Sequence, residues 1–108
     1  MKDDRLYLIH IIECIEKIER YTKAGKQEFM SSSLIQDGVI RNLEIIGEAT
    51  KKVSSTLRDD YSEVPWKMIA GLRDVLIHDY MGVDLKRVWN VIEKELPALK
   101  KNIKLMID

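Results

Sequence analysis

The stretch PWKMIAGLRDVLIHDYMGVDLKRVW, residues 65–89, decides how this chain is read. Pro65 suits the first turn of a helix, where its missing N–H is no loss. A helix is predicted from Pro65 to His78, ending near Asp79 to Gly82. Asp84 then stands as an N-cap for a further helix through Val88, Trp89, Val91, Ile92 and Leu96. Pro97 is expected to break or kink that helix, with Leu99, Ile103 and Met106 facing inward beyond it.

Upstream, Leu8, Ile11, Ile12, Ile15, Ile18 and Tyr21 mark the inner face of an amphipathic helix from Asp3 to about Ala24. Glu13, Glu16, Lys17 and Arg20 lie outside it. Gly25 supplies its stop. Another helix is predicted from Ser33 to Val53, with Ile35, Val39, Leu43, Ile46, Thr50 and Val53 as its inner stripe. Gly47 inside it costs about 1 kcal/mol relative to alanine, which points to a close crossing by another helix. Residues 54–63 are polar and read as irregular. With five glycines and two prolines in 108 residues, strands are not expected. The fold class is all-α: one domain, residues 1–108, as an up-and-down bundle of four main helices, the last split at Pro97.

Formal net charge is zero, from 18 basic and 18 acidic side chains, so any grip on nucleic acid must come from a local patch. Lys51, Lys52, Arg58 and Lys67 are candidates for it. The single cysteine, Cys14, permits neither an internal disulfide nor a multi-cysteine metal site and reads as a small buried hydrophobe. His10 reads as a packed or boundary residue. Trp66 and Trp89 read as core or dimer anchors rather than platforms for bases. Acidic residues interrupt every apolar run near the N-terminus, and no run approaches the ~20 residues a membrane span needs. The expectation is a cytoplasmic protein away from membranes.

Within residues 71–84 stand Arg73, His78 and Tyr80. On a straight helix Arg73 and His78 lie roughly 140° apart, and Tyr80 returns to within ~20° of Arg73. A site assembled where two copies cross would relax that constraint, which favours a symmetric dimer with a shared cleft. The bland readings are a salt-bridging arginine, a helix-end histidine and a packed tyrosine. Arg41, Glu44 and Glu48 line one face of the helix over residues 33–53. They read either as a solvated face, with Lys52 supplying a cation, or as acids of which one orients Arg73.

Residues 65–89, together with IQDGVIRNLEIIGEATKKV at residues 35–53, resemble HepT toxins of the HEPN superfamily. The two blocks and their spacing cover most of the chain. The resemblance implies a metal-independent, homodimeric endoribonuclease that needs no cofactor, with Arg73 and His78 catalytic and Asp74 as the polar residue after the arginine. It also implies a toxin–antitoxin pair, in which a minimal nucleotidyltransferase of the MntA kind transfers AMP onto Tyr80. A non-catalytic helical partner of a nucleotidyltransferase is the alternative reading, and a purely structural dimerisation bundle is a third.

Overall fold

The computed structural model describes residues 2–72, 74, 77–78 and 82–107. Two 20-residue helices form the frame, α1 (Lys2–Tyr21) and α3 (Ser33–Lys52). They run antiparallel, because Asp4 near the start of α1 bonds Ser54 just past α3, while Tyr21 at its end lies against Gly38. The apolar stripes predicted for both helices meet here. Leu8, Ile11, Ile15 and Ile18 of α1 are buried together with Val39, Leu43 and Ile46 of α3, and Val53 closes the stripe. Thr50 is buried without an orphaned hydroxyl, since its Oγ1 donates to the Ile46 carbonyl at 2.8 Å. Tyr21 departs from its expected inward position and is 41% exposed.

Three short helices were not all foreseen. Gly25, with φ of 98°, turns the chain in the left-handed region that a stop requires, but a short α2 (Lys26–Ser31) follows at once. It buries Phe29, and Gln36 Nε2 donates to the Phe29 and Met30 carbonyls at its end. Ser32 then caps α3 by accepting from Ile35 N–H. The segment read as irregular holds α4 (Ser55–Asp60), because Ser54 caps it by accepting from Leu57 N–H. α5 (Trp66–Ala70) starts after Pro65 as expected.

The expectation that this helix runs to His78 is corrected: its regular part ends at Ala70, with Gly71 as C-cap. Further on, Ile77–His78 (β1) and Gly82–Val83 (β2) form a two-residue antiparallel ladder, Ile77 opposite Val83 and His78 opposite Gly82. The facing Ile77 and Val83 are β-branched, a residue type that favours extended backbone. The fold remains all-α apart from these four residues.

Asp84 caps α6 (Leu85–Asn90), its side chain accepting from Arg87 N–H. A π-helical turn over Val91–Glu95 leads directly into α7 (Leu96–Ile107), so the helix is not split at Pro97. Leu96 N–H donates to the Val91 carbonyl, a bond five residues back. The buried residues explain that wide turn, for they fall at 88, 91, 96, 99 and 103. The five-residue step from Val91 to Leu96 would swing Leu96 roughly 140° off the core on an α-helix, and one extra residue in the turn restores the face. α7 lies antiparallel to α1, where Lys100 Nζ meets Glu19 at 2.8 Å and Glu16 at 3.8 Å, and Arg5 donates to the Ile107 carbonyl. Among the described residues no helix is long and apolar enough to cross a membrane.

Two local interactions tie these elements together. A Cβ on Gly47 would sit 3.2 Å from the Ala70 carbonyl oxygen and 3.3 Å from that of Ile69. The predicted close crossing is therefore that of α5. Asp4, only 4% exposed, accepts from Ser54 N–H at 2.8 Å and from Ser54 Oγ at 2.6 Å. Burial opposes its ionisation most strongly of any single influence, but the two Ser54 bonds, the N-terminal charge and Arg58 together outweigh it, so its carboxyl is held below its ordinary value of 3.8.

Gly47→Val is expected to lose about 1–3 kcal/mol in urea denaturation, because the obstacle is backbone and cannot rotate away. Ser54→Ala is expected to lose about 1–3 kcal/mol at neutral pH, leaving a buried carboxylate short of one donor. The lowered Asp4 pKa contributes stability above about 3.9 and loses it as pH falls through the folded value. The Ser54→Ala deficit should therefore shrink below that range, as acid unfolding monitored by circular dichroism will show.

Candidate active site

The motif segment is anchored at both ends by burial and capping. On the entry side Trp66 packs into the core and donates from Nε1 to the Tyr61 carbonyl at 3.0 Å, while Ile69 and Leu72 are buried behind it. On the exit side the Asp84 cap starts α6 and Val88 is fully buried. Trp89 follows at 5.4 Å between ring centroids from Phe29. Both tryptophans thus serve the core, and the Trp89 indole nitrogen is buried without a partner among the described residues.

Between these anchors Asp74 is helical and exposed. His78 has extended backbone, paired with Gly82, so the 140° separation expected on a straight helix does not apply to it. Arg73 and Tyr80 lie outside the described residues, as does the side chain of His78.

The acids of α3 are placed more fully. Glu44 is half-buried and Glu48 exposed, and with Arg41 and Ile45 they line a shallow depression at the middle of α3. Glu44 comes three residues before Gly47 and Glu48 one after it, so they bracket in sequence the point where α5 meets α3. The cation paired with Glu48 is Lys51, at 3.4 Å across an exposed contact, rather than the expected Lys52. Ile45 was not singled out beforehand. Its half-buried place between Glu44 and Glu48 follows from the same helical spacing, read for the outer face instead of the inner one.

The candidate basic residues occupy the end of α3 (Lys51, Lys52), α4 (Arg58) and the first turn of α5 (Lys67). Arg58 is half-buried, with its Nε buried and unpartnered among the described residues. His10, expected to be packed or at a boundary, is exposed on α1. Cys14 is buried as expected, and burial pushes its thiol pKa up, which keeps it protonated and a poor nucleophile.

The family described as "Ribonuclease HepT-like" matches residues 11–106, nearly the whole chain. The chain belongs to the HepT-like ribonuclease family. A provisionally named ribonuclease HepT of Thermococcus cleftensis is 41% identical over 87% of this chain and 86% of its own length. A provisionally named RNase of Caldanaerobacter subterraneus is 45% identical, covering 96% of this chain and 94% of its own. A Methanocaldococcus jannaschii protein, whose name joins gamma-glutamylcyclotransferase to a provisional RNase, is 48% identical over 94% of this chain. The HepT-like chain spans 46% of that longer relative. No solved structure matches.

Loss of the Asp84 cap is the direct test of the exit anchor. Asp84→Ala is expected to lower stability by about 0.5–2 kcal/mol. Hydrogen exchange should show the loss at the amides of Leu85 to Val88 before it appears elsewhere.

Proposed function

We propose that this HepT-like ribonuclease is the toxin of a toxin–antitoxin pair, an endoribonuclease that cuts RNA without a metal through Arg73 and His78. The observation that carries the proposal is Arg73, His78 and Tyr80 at their family spacing, inside a family match that runs from residue 11 to 106. The ends of this segment support it, with Trp66 and Leu72 buried before it and the Asp84 cap after it.

The chemistry suits the side chains. RNA carries its own nucleophile, the 2′-hydroxyl beside the scissile phosphate. A base takes the 2′-hydroxyl proton as the 2′-oxygen bonds phosphorus. The phosphorus–5′-oxygen bond breaks and an acid protonates the leaving oxygen, giving a 2′,3′-cyclic phosphate and a 5′-hydroxyl end. Histidine exchanges protons near neutral pH, and two copies of His78, one from each protomer of a homodimer, supply base and acid. Arg73 stays cationic and holds two phosphate oxygens as charge builds in the transition state. Glu44 or Glu48 orients Arg73 from α3, and Asp74 keeps the neighbouring surface polar.

Control rests on Tyr80. A minimal nucleotidyltransferase antitoxin of the MntA kind moves AMP from ATP to the phenolic oxygen. The new bond is oxygen to α-phosphorus, pyrophosphate leaves, and the phenolic proton passes to solvent. The added phosphate then competes with RNA for Arg73 and inactivates the enzyme without unfolding it. The whole operates in the cytoplasm, where transcripts and ATP are both present.

Total RNA incubated with unmodified protein in EDTA should be cleaved, and His78→Ala should lose about 10²–10⁴-fold in rate. Tyr80→Phe should cleave normally yet take up no label from α-labelled ATP with the antitoxin present. Absence of cleavage by a wild type free of AMP would overturn the reading in favour of a non-catalytic partner.

A further inference from the structure

The outer face of α3 carries a charge pattern that is complementary to itself. Leu34, Gly38, Arg41, Ile45, Glu48 and Lys52 follow one another at alternating steps of four and three, the spacing of a helix–helix seam, and Asp37 borders the row. Apart from Gly38, which the Tyr21 ring of α1 covers, this row faces away from the core stripe of Val39, Leu43 and Ile46. Leu34 is 83% exposed, the largest value among the exposed large hydrophobic side chains, and Ile45 is half-buried in the depression at mid-helix.

Turn a second α3 antiparallel about a two-fold axis midway between Glu44 and Ile45, and each residue meets the one equally far beyond the midpoint. Arg41 then faces Glu48 of the other copy, about 5 Å along the helix from the axis. Asp37 faces Lys52, about 11 Å from it. Symmetry doubles both, giving four opposite-charge pairs and no like-charge pair among these four positions. In the opposite, parallel arrangement each residue would face its own twin, Arg41 on Arg41 and Glu48 on Glu48. Among the described residues Asp37, Arg41 and Lys52 make no ion pair within the chain, and Glu48 makes only its exposed contact with Lys51.

We infer that two copies of this chain associate through the outer faces of their α3 helices, antiparallel, with Arg41–Glu48 and Asp37–Lys52 pairs across the two-fold axis. This deepens the homodimer in the proposed function and rests on it. Gly47, where α5 is seated, points roughly 140° around α3 from this row, so the interface leaves the contact between α3 and α5 undisturbed.

Sedimentation velocity over a range of concentrations tests it, with circular dichroism confirming each fold. Wild type should be dimeric. Arg41→Glu and Glu48→Arg, each placing two like-charge contacts across the axis, should raise the dimer dissociation constant at least about tenfold. The double variant carrying both reversals should recover most of that loss, because the pairs are remade with signs exchanged. Single variants as dimeric as wild type would overturn this face while leaving a dimer through another. Failure of the double variant to recover would overturn the pairing register. A wild type monomeric throughout would overturn both the face and the dimer, and RNA cleavage, measured separately, would still decide the nuclease reading.

Discussion

The missing side chain of Gly47 is the constraint on which the seating of α5 against α3 depends. Helix α3 is held by the buried stripe that it shares with α1, and α5 reaches α3 only because no Cβ intervenes at residue 47. The approach is made by the carbonyl ends of Ile69 and Ala70, the last residues of α5. Backbone at such a distance fixes position more firmly than side-chain packing does, because it has no rotamers with which to adjust. The motif segment starts from this contact. The glycine that permits it costs α3 stability when judged by helix propensity alone.

A second constraint works from the other end of the chain. Val91 and Leu96 both belong to the core, yet they stand five residues apart. The π turn resolves the conflict by letting the backbone take up one extra residue, and Pro97 gains from the same adjustment. On a regular helix its ring would press on the carbonyl of residue 93 and leave it without a donor. Here the wide turn immediately precedes it, and α7 continues to Ile107. The bonds from Lys100 to Glu19 and from Arg5 to the Ile107 carbonyl then align α7 with α1. The Glu19 hydrogen bond, reinforced by charge, raises the Lys100 pKa against a smaller opposing effect of burial.

What could be read from the residues was whatever rests on periodicity. The α1 and α3 stripes, the Asp84 cap and the reason for Gly47 all follow from spacing within one helix or from the sterics of one residue. What could not be read rests on competition between local and tertiary preferences. The short apolar run Val75-Leu76-Ile77 suits a helix as well as a strand, and Ile77 pairs with Val83, six residues further on. α4 is only six residues long, too short to announce itself by periodicity, and it owes its start to the Ser54 side chain. Ser54 in turn is committed to Asp4, fifty residues away, a partnership that no local pattern encodes. For the site, spacing and family identify Arg73, His78 and Tyr80, while the Glu44–Glu48 face was legible as a helical row and its neighbour α5 was not.

Zero net charge poses a specific problem for a protein whose substrate is a polyanion, and the distribution of charge answers it. Between α1 and α7 charge is matched at one point, where Lys100 meets Glu16 and Glu19. The α3 face carries alternating signs, which suits a partner of the same pattern far better than a uniformly negative strand. Of the candidate cations, Arg58 on α4 and Lys67 in the first turn of α5 then remain for phosphates, along the connection from α3 to α5. That connection is the one leading into the motif segment. A chain of balanced charge can thus present a basic approach where the motif begins, provided that its acids are occupied elsewhere, and a self-complementary α3 face is one means of occupying them.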